Sequence, residues 1–131
     1  MRFVIQCFHF LYEEFDFQLS RTTNREGLFY DVEYKRNNTI ISISYENRED
    51  YFQTILFIIK NGIMPDYDDK TSTIHLPVLV SKFFSELAPN DFEENNKFFS
   101  LIKTSTEIEK KILKSAKELR ICLSRRFFIL C

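Results

Sequence analysis

Two histidines, three cysteines and a short run of aspartates are the side chains of this sequence that could do chemistry, and their spacing decides how much. A zinc site needs clustered nitrogen and sulfur ligands, usually with a Cys-x-x-Cys or His-x3–5-His element. His9 and His75 lie on different expected elements, and Cys7, Cys122 and Cys131 contain no such pair. Asp66, Asp68 and Asp69 have the look of a calcium loop but lack the glycine and the distal glutamate that an EF-hand requires, so they read as a solvated turn. Nucleophilic catalysis finds no G-x-S-x-G elbow, and neither histidine falls into a constellation with Ser or Cys. Two glycines far apart cannot build a phosphate-binding loop. The expectation is a protein without catalytic residues, metal or cofactor.

The elements that would carry these residues follow from periodicity. Phe3, Val4, Cys7, Phe8, Leu11, Tyr12 and Phe15 mark one face of a helix over residues 3–15, with Ile5 and Phe10 outside the stripe and His9 paired to Glu13 on the polar side. The period then falls to two. Leu28, Tyr30, Val32 and Tyr34, and after them Ile41, Ile43 and Tyr45, alternate with other residues as half-buried strands do. Asn37-Asn38 between them suits a hairpin turn, and an earlier strand is expected around residues 17–21. Residues 51–59 are apolar on both alternations, which leaves strand and helix open by period, but Ile, Phe, Tyr and Thr favour a strand. Asn61-Gly62 stops it and residues 65–70 form an exposed loop.

From Pro77 onward the pattern is helical. Leu79, Val80, Phe83, Phe84 and Leu87 stripe a first helix that Pro89 limits, and Asn90 is the expected cap of a second that buries Phe92, Phe99 and Ile102. The spacing Thr104-Ser105-Thr106-Glu107 starts a third near Ser105, with Ile108, Ile112, Ala116, Leu119 and Leu123 on one face. The fold expected is a single α+β domain over residues 1–131: an N-terminal helix, an antiparallel meander of three or four strands, then three amphipathic helices.

Composition agrees with a packed domain of 131 residues whose fifteen Phe and six Tyr build a ring-rich core. The net charge of −1 argues against a chain that coats nucleic acid, yet residues 1–102 carry ten cations against sixteen anions while residues 103–131 carry eight against three. A basic last helix bearing Lys110, Lys111, Lys114, Lys117, Arg120, Arg125 and Arg126 is therefore expected to dock on an acidic body, nucleic-acid binding being the alternative use of it. An odd number of scattered cysteines fits a reducing, cytoplasmic setting. Gln6 and His9 interrupt the apolar run that follows Arg2, and Glu13, Glu14 and Asp16 stand where a signal cleavage site would need small residues. No run reaches the ~20 apolar residues of a membrane span, so no membrane association is expected.

The stretch Val32-Glu33-Tyr34-Lys35, continued by Thr39-Ile40-Ile41-Ser42-Ile43-Ser44-Tyr45-Glu46-Asn47-Arg48-Glu49, resembles a group of small bacterial proteins with a leading helix, a V-x-Y-K … I-x-I-x-Y hairpin, a charged turn and a further strand. Several of that kind resemble immunity proteins, which neutralise toxins by direct binding. The resemblance spans residues 1–60 and brings no catalytic residues. It implies a protein partner, with a cognate toxin as the specific case. The partner-facing candidates are the acidic and aromatic side chains Glu46, Glu49 and Asp50 of the turn and Asp66, Tyr67, Asp68 and Asp69 of the loop. A small enzyme of unrecognised type is the remaining alternative.

Overall fold

A computed structural model describes residues 2–66, 69 and 71–124, together with the backbone of 125–130. The chain is α+β. Helices α1 (Arg2–Phe8) and α2 (Phe10–Phe15) lead into five strands, β1 (Gln18–Arg25), β2 (Phe29–Arg36), β3 (Thr39–Glu46), β4 (Tyr51–Ile58) and β5 (Thr73–His75). Helices α3 (Leu76–Phe83), α4 (Pro89–Phe98) and α5 (Glu107–Leu130) follow, with a 3-10 turn at Phe84–Glu86 between the first two. All five strands are antiparallel in sequence order, a meander in which each strand pairs with the next.

The turns explain the register. Asn37 takes a positive φ of 51°, tolerated by Asn, and lets Arg36 pair directly with Thr39 across the expected two-residue turn. Gly27, at φ 75°, donates its N–H to Asn24 Oδ1 at 3.2 Å and closes the β1–β2 turn. Residues 51–58 are a strand because their alternation is real once placed: Phe52, Thr54 and Leu56 register with Tyr45, Ile43 and Ile41 on one face, while Ile55 and Phe57 fall on the other. Both faces of β4 are covered, which is why its sequence shows no period.

The inner face of the sheet carries Val32, Tyr34, Ile41, Ile43 and Leu56, and these merge with Val4, Phe8, Leu11, Leu79, Phe99, Ile112, Leu119 and Leu123 into one buried core. A much smaller group, Ile40, Ile55 and Phe57 with Ile59 against them, lies on the other face. Helix α5 is the spine of the helical layer and touches α1, α2, α3, α4 and β4. Its predicted face is buried at Ile112, Ala116, Leu119 and Leu123, as apolar burial at i, i+4, i+7 and i+11 requires.

Charge orients this docking. Arg120 donates from Nε and Nη2 to the two carboxylate oxygens of Glu14, at 2.6 and 2.9 Å, and from Nη1 to Asn95 Oδ1 at 2.8 Å. Its guanidinium carbon lies 3.8 Å from the centroid of the Phe98 ring, and Asn95 Nδ2 returns a bond to the Lys117 carbonyl at 2.9 Å. One arginine thereby ties α2, α4 and α5 together. Lys111 reaches Asp50 on the β3–β4 turn at 3.3 Å.

Several expectations need correction. The leading helix is broken at His9, whose carbonyl accepts from both Tyr12 N–H (3.0 Å) and Glu13 N–H (3.2 Å). That irregular turn rotates the second half, so Phe10, outside the expected stripe, is buried, and Tyr12, inside it, is exposed. A fifth strand, β5, forms just after the expected loop, where no element was expected; three residues are too short to show a period. Helix α4 begins at Pro89 rather than after Asn90, because Asp91 Oδ2 accepts the Ala88 N–H at 2.8 Å and sets the cap two residues earlier. Helix α5 begins at Glu107. Thr106 Oγ1 accepts the Glu109 N–H at 3.2 Å, and Glu109 accepts from Ser105 N–H and Oγ at 2.8 and 2.9 Å, so the cap is made by Ser105 and Thr106 with Glu109 rather than by Thr104 with Glu107.

Candidate functional site

The β3–β4 turn holds the first group of candidate residues together. Glu46 is turned inward, its carboxylate accepting the N–H groups of Arg48 and Glu49. Asp50, at φ 50°, accepts from Tyr45 Oη at 2.8 Å and from Lys111 Nζ at 3.3 Å, and those two hydrogen bonds and the ammonium hold its carboxyl below the ordinary aspartate range. The same bond pushes the Tyr45 phenol up, because it favours the protonated form. With its backbone so fixed, the turn projects Glu49 and Tyr51, the latter 55% exposed. Glu46, Glu49 and Tyr51 line a shallow recess of about 410 Å³.

The second group falls elsewhere. The turn precedes β4 and the loop follows it, so the two are separated by the length of an eight-residue strand, about 25 Å at ~3.3 Å per residue. Asp69 spends its carboxylate on the loop itself: Oδ1 accepts from Thr71 N–H at 3.0 Å and Thr71 Oγ1 at 2.7 Å, which holds its pKa down. Asp66 is exposed and its carbonyl accepts from Thr73 Oγ1 at 2.9 Å. Tyr67 and Asp68 lie outside the described residues. Among the described residues, Asp66 and Asp69 therefore share no surface with the turn, which presents an acidic and an aromatic side chain on a fixed backbone.

Beside the turn lies a cleft that sequence reasoning missed. Since β5 pairs with residues 55–57 of β4, the first half of β4 has no outer strand among the described residues. Into the notch face Phe52 and Thr54 from β4, His75 and Pro77 from the β5–α3 junction, and Ser115 and Glu118 from α5, enclosing about 260 Å³. Thr54 is 3% exposed and its Oγ1 meets no hydrogen-bond partner among the described residues. Burial drives the Glu118 carboxyl above the usual glutamate range, with Lys114 opposing, and no described residue hydrogen-bonds to it or forms an ion pair with it. Tyr51 lines both the recess and the cleft, so the two are neighbours on this side of the sheet. The only sequence signal for this was the spacing Lys111, Ser115, Glu118, one helical face pointing at the sheet edge.

Other candidate chemistry is spread out. On the outer sheet face Ser42 Oγ donates to Asp31 Oδ1 at 2.6 Å, and Glu33 is pushed up first by burial and then by its hydrogen bond to Asp31 and that residue's charge, with Arg21 opposing. Among the described residues no three His, Cys, Asp or Glu side chains gather to hold a metal. Cys7 and Cys122 are buried, and desolvation, with a lesser contribution from Glu109 and Glu118 respectively, pushes both thiols up to about 12. Cys131 lies outside the described residues. His9 pairs with Glu13 at 3.1 Å, as the spacing predicts. Among the described residues no helix is long and apolar enough to cross a membrane. No protein-family model, curated protein or solved structure matches the chain.

Proposed function

We propose that this chain is a non-catalytic protein-binding domain whose partner docks on the β3–β4 turn. The observation that carries the reading is the pinned geometry of that turn: Tyr45, Lys111 and the inward Glu46 carboxylate fix the backbone, leaving Glu49 and the ring of Tyr51 projecting beside a recess. An exposed aromatic with a neighbouring carboxylate on a fixed backbone is the kind of group that anchors an interface, because little backbone entropy is lost when a partner covers it. Glu46, Glu49 and Glu118 give this side of the sheet an acidic character suited to a basic partner. A toxin neutralised by direct binding, with the chain as its immunity protein, is the specific form of the proposal; a nuclease, whose cleft must be basic, would fit such a surface.

The nucleic-acid alternative is weakened by how the cations of α5 are used. Lys110 pairs with Glu107, Lys111 with Asp50 and Arg120 with Glu14, so three of the seven no longer present a free charge to a phosphate backbone.

The test is calorimetry between the purified chain and the purified product of the adjacent gene. Binding is expected, with Glu49→Lys and Tyr51→Ala each weakening it at least tenfold and Asp66→Lys, at the far end of the sheet, leaving it unchanged. Absence of binding removes the immunity form. Binding indifferent to Glu49→Lys and Tyr51→Ala removes the turn as the docking surface.

A further inference from the structure

The cleft at the edge of β4 has a chemistry of its own. In β4 the Ile58 N–H donates to Ser72 on the β5 side at 2.7 Å, and the Ile59 N–H donates to Asn38 on the β3 side at 2.7 Å. Because successive backbone groups alternate and the β3–β4 register is unbroken from Tyr51 to Ile58, even-numbered residues of β4 direct their N–H and C=O outward. The Phe52 backbone pair thus faces the notch that β5 leaves unfilled, above the lone Glu118 carboxylate and the unpartnered Thr54 hydroxyl. The carboxylate, the hydroxyl oxygen and the backbone carbonyl can all accept, so a cationic donor could bond to the three together.

We propose that this cleft receives one lysine or arginine side chain from an extended segment of the protein partner, which hydrogen-bonds to the Phe52 backbone at the open sheet edge while its cation reaches Glu118 and Thr54. Charge complementarity selects the occupant. A neutral or anionic group would leave the half-buried Glu118 carboxylate with no direct hydrogen-bond partner and only the charge of Lys114 nearby, whereas an ammonium or guanidinium supplies both charge and donors at contact distance. Strand addition at a free edge supplies the backbone part of the affinity, and the pocket beside it supplies the choice of side chain. The inference rests on the protein-binding reading and adds to it which residue type the partner must present.

The experiment titrates the isotope-labelled full chain, followed by NMR, with the peptide acetyl-Thr-Val-Lys-Val-Thr-amide, with the same peptide carrying norleucine in place of lysine, and with butylammonium alone. The lysine peptide is expected to shift the amides of Phe52 and Thr54 and to bind at least tenfold more tightly than the norleucine peptide. Glu118→Gln should erase that difference while leaving the norleucine affinity unchanged, and Thr54→Val, which keeps the side chain's shape, should reduce it. Equal affinity for the two peptides, shifts confined to other surfaces, or no shift overturns the proposal. Butylammonium binding as tightly as the lysine peptide overturns the strand component. If these titrations fail while Glu49→Lys still weakens partner binding at least tenfold, the cleft is refuted and the docking turn stands; the reverse pattern refutes the turn.

Discussion

Replacing Ile112 by alanine tests whether apolar burial or charge seats α5. Ile112 is 3% exposed and belongs to the single core that joins the sheet to the helices. The substitution removes three carbon groups, which at about 0.8 kcal/mol each amounts to roughly 2.4 kcal/mol of transfer free energy. The vacated space adds a cavity contribution that brings the total to about 3–4 kcal/mol, within the usual range for such truncations. Lys111→Ala, one residue away, removes an ion pair at 3.3 Å between two side chains that are both more than half exposed and screened by solvent, and should cost far less. Urea denaturation of both variants beside the parent, followed by far-ultraviolet circular dichroism, reads the difference directly. The Ile112 variant should unfold at a clearly lower midpoint with an unchanged slope, and the Lys111 variant near the parent. An Ile112 variant with the parental midpoint, or a Lys111 variant that loses more than the Ile112 variant, would refute the argument that contact with the core holds the helix in place.

Three further outcomes are expected. Arg120→Ala should destabilise the domain by about 1–3 kcal/mol, since it leaves Asn95 Oδ1 and the Glu14 carboxylate without their donors, and Arg120→Lys should restore little because an ammonium cannot reproduce the bidentate fork; denaturant midpoints check both. Burial raises the Glu118 pKa in the folded chain, so the folded state holds the proton more tightly than the unfolded chain, and stability associated with this group is present below its ordinary pKa and declines as pH rises through the folded value. Thermal melts should therefore find Glu118→Gln equal to the parent near pH 4 and more stable than it at pH 7, and a less stable variant at pH 7 would contradict the assignment. In a Cys131→Ser background, Cys7 and Cys122, with thiols pushed up to about 12, should resist an aromatic disulfide reagent at pH 8 until denaturant is added, and rapid labelling of the native chain would show that one of them is not buried as described.

Local sequence determined most of the framework, because the properties it encodes are local. The alternation of Tyr30, Val32 and Tyr34 against Ile41, Ile43 and Tyr45, with Asn37 able to take a positive φ between them, specifies a hairpin whose register leaves one face apolar. The stripe Ile112, Ala116, Leu119 and Leu123 likewise specifies the buried face of α5 before any partner is known. The His9 break was not legible, since it depends on which side of α2 meets the core, and the three-residue β5 exists only because the edge of β4 is there to pair with it. The same applies to the site. Sequence marked the acidic turn and the acidic loop alike, for both are short runs of carboxylates beside a tyrosine. Tertiary structure separated them by the length of β4, turned Asp69 inward onto Thr71 and brought Glu118, some seventy residues along the chain, to the edge beside Tyr51. Such a cleft arises from where β5 stops and where α5 crosses, and non-local pairing of that sort leaves no periodic trace in the sequence.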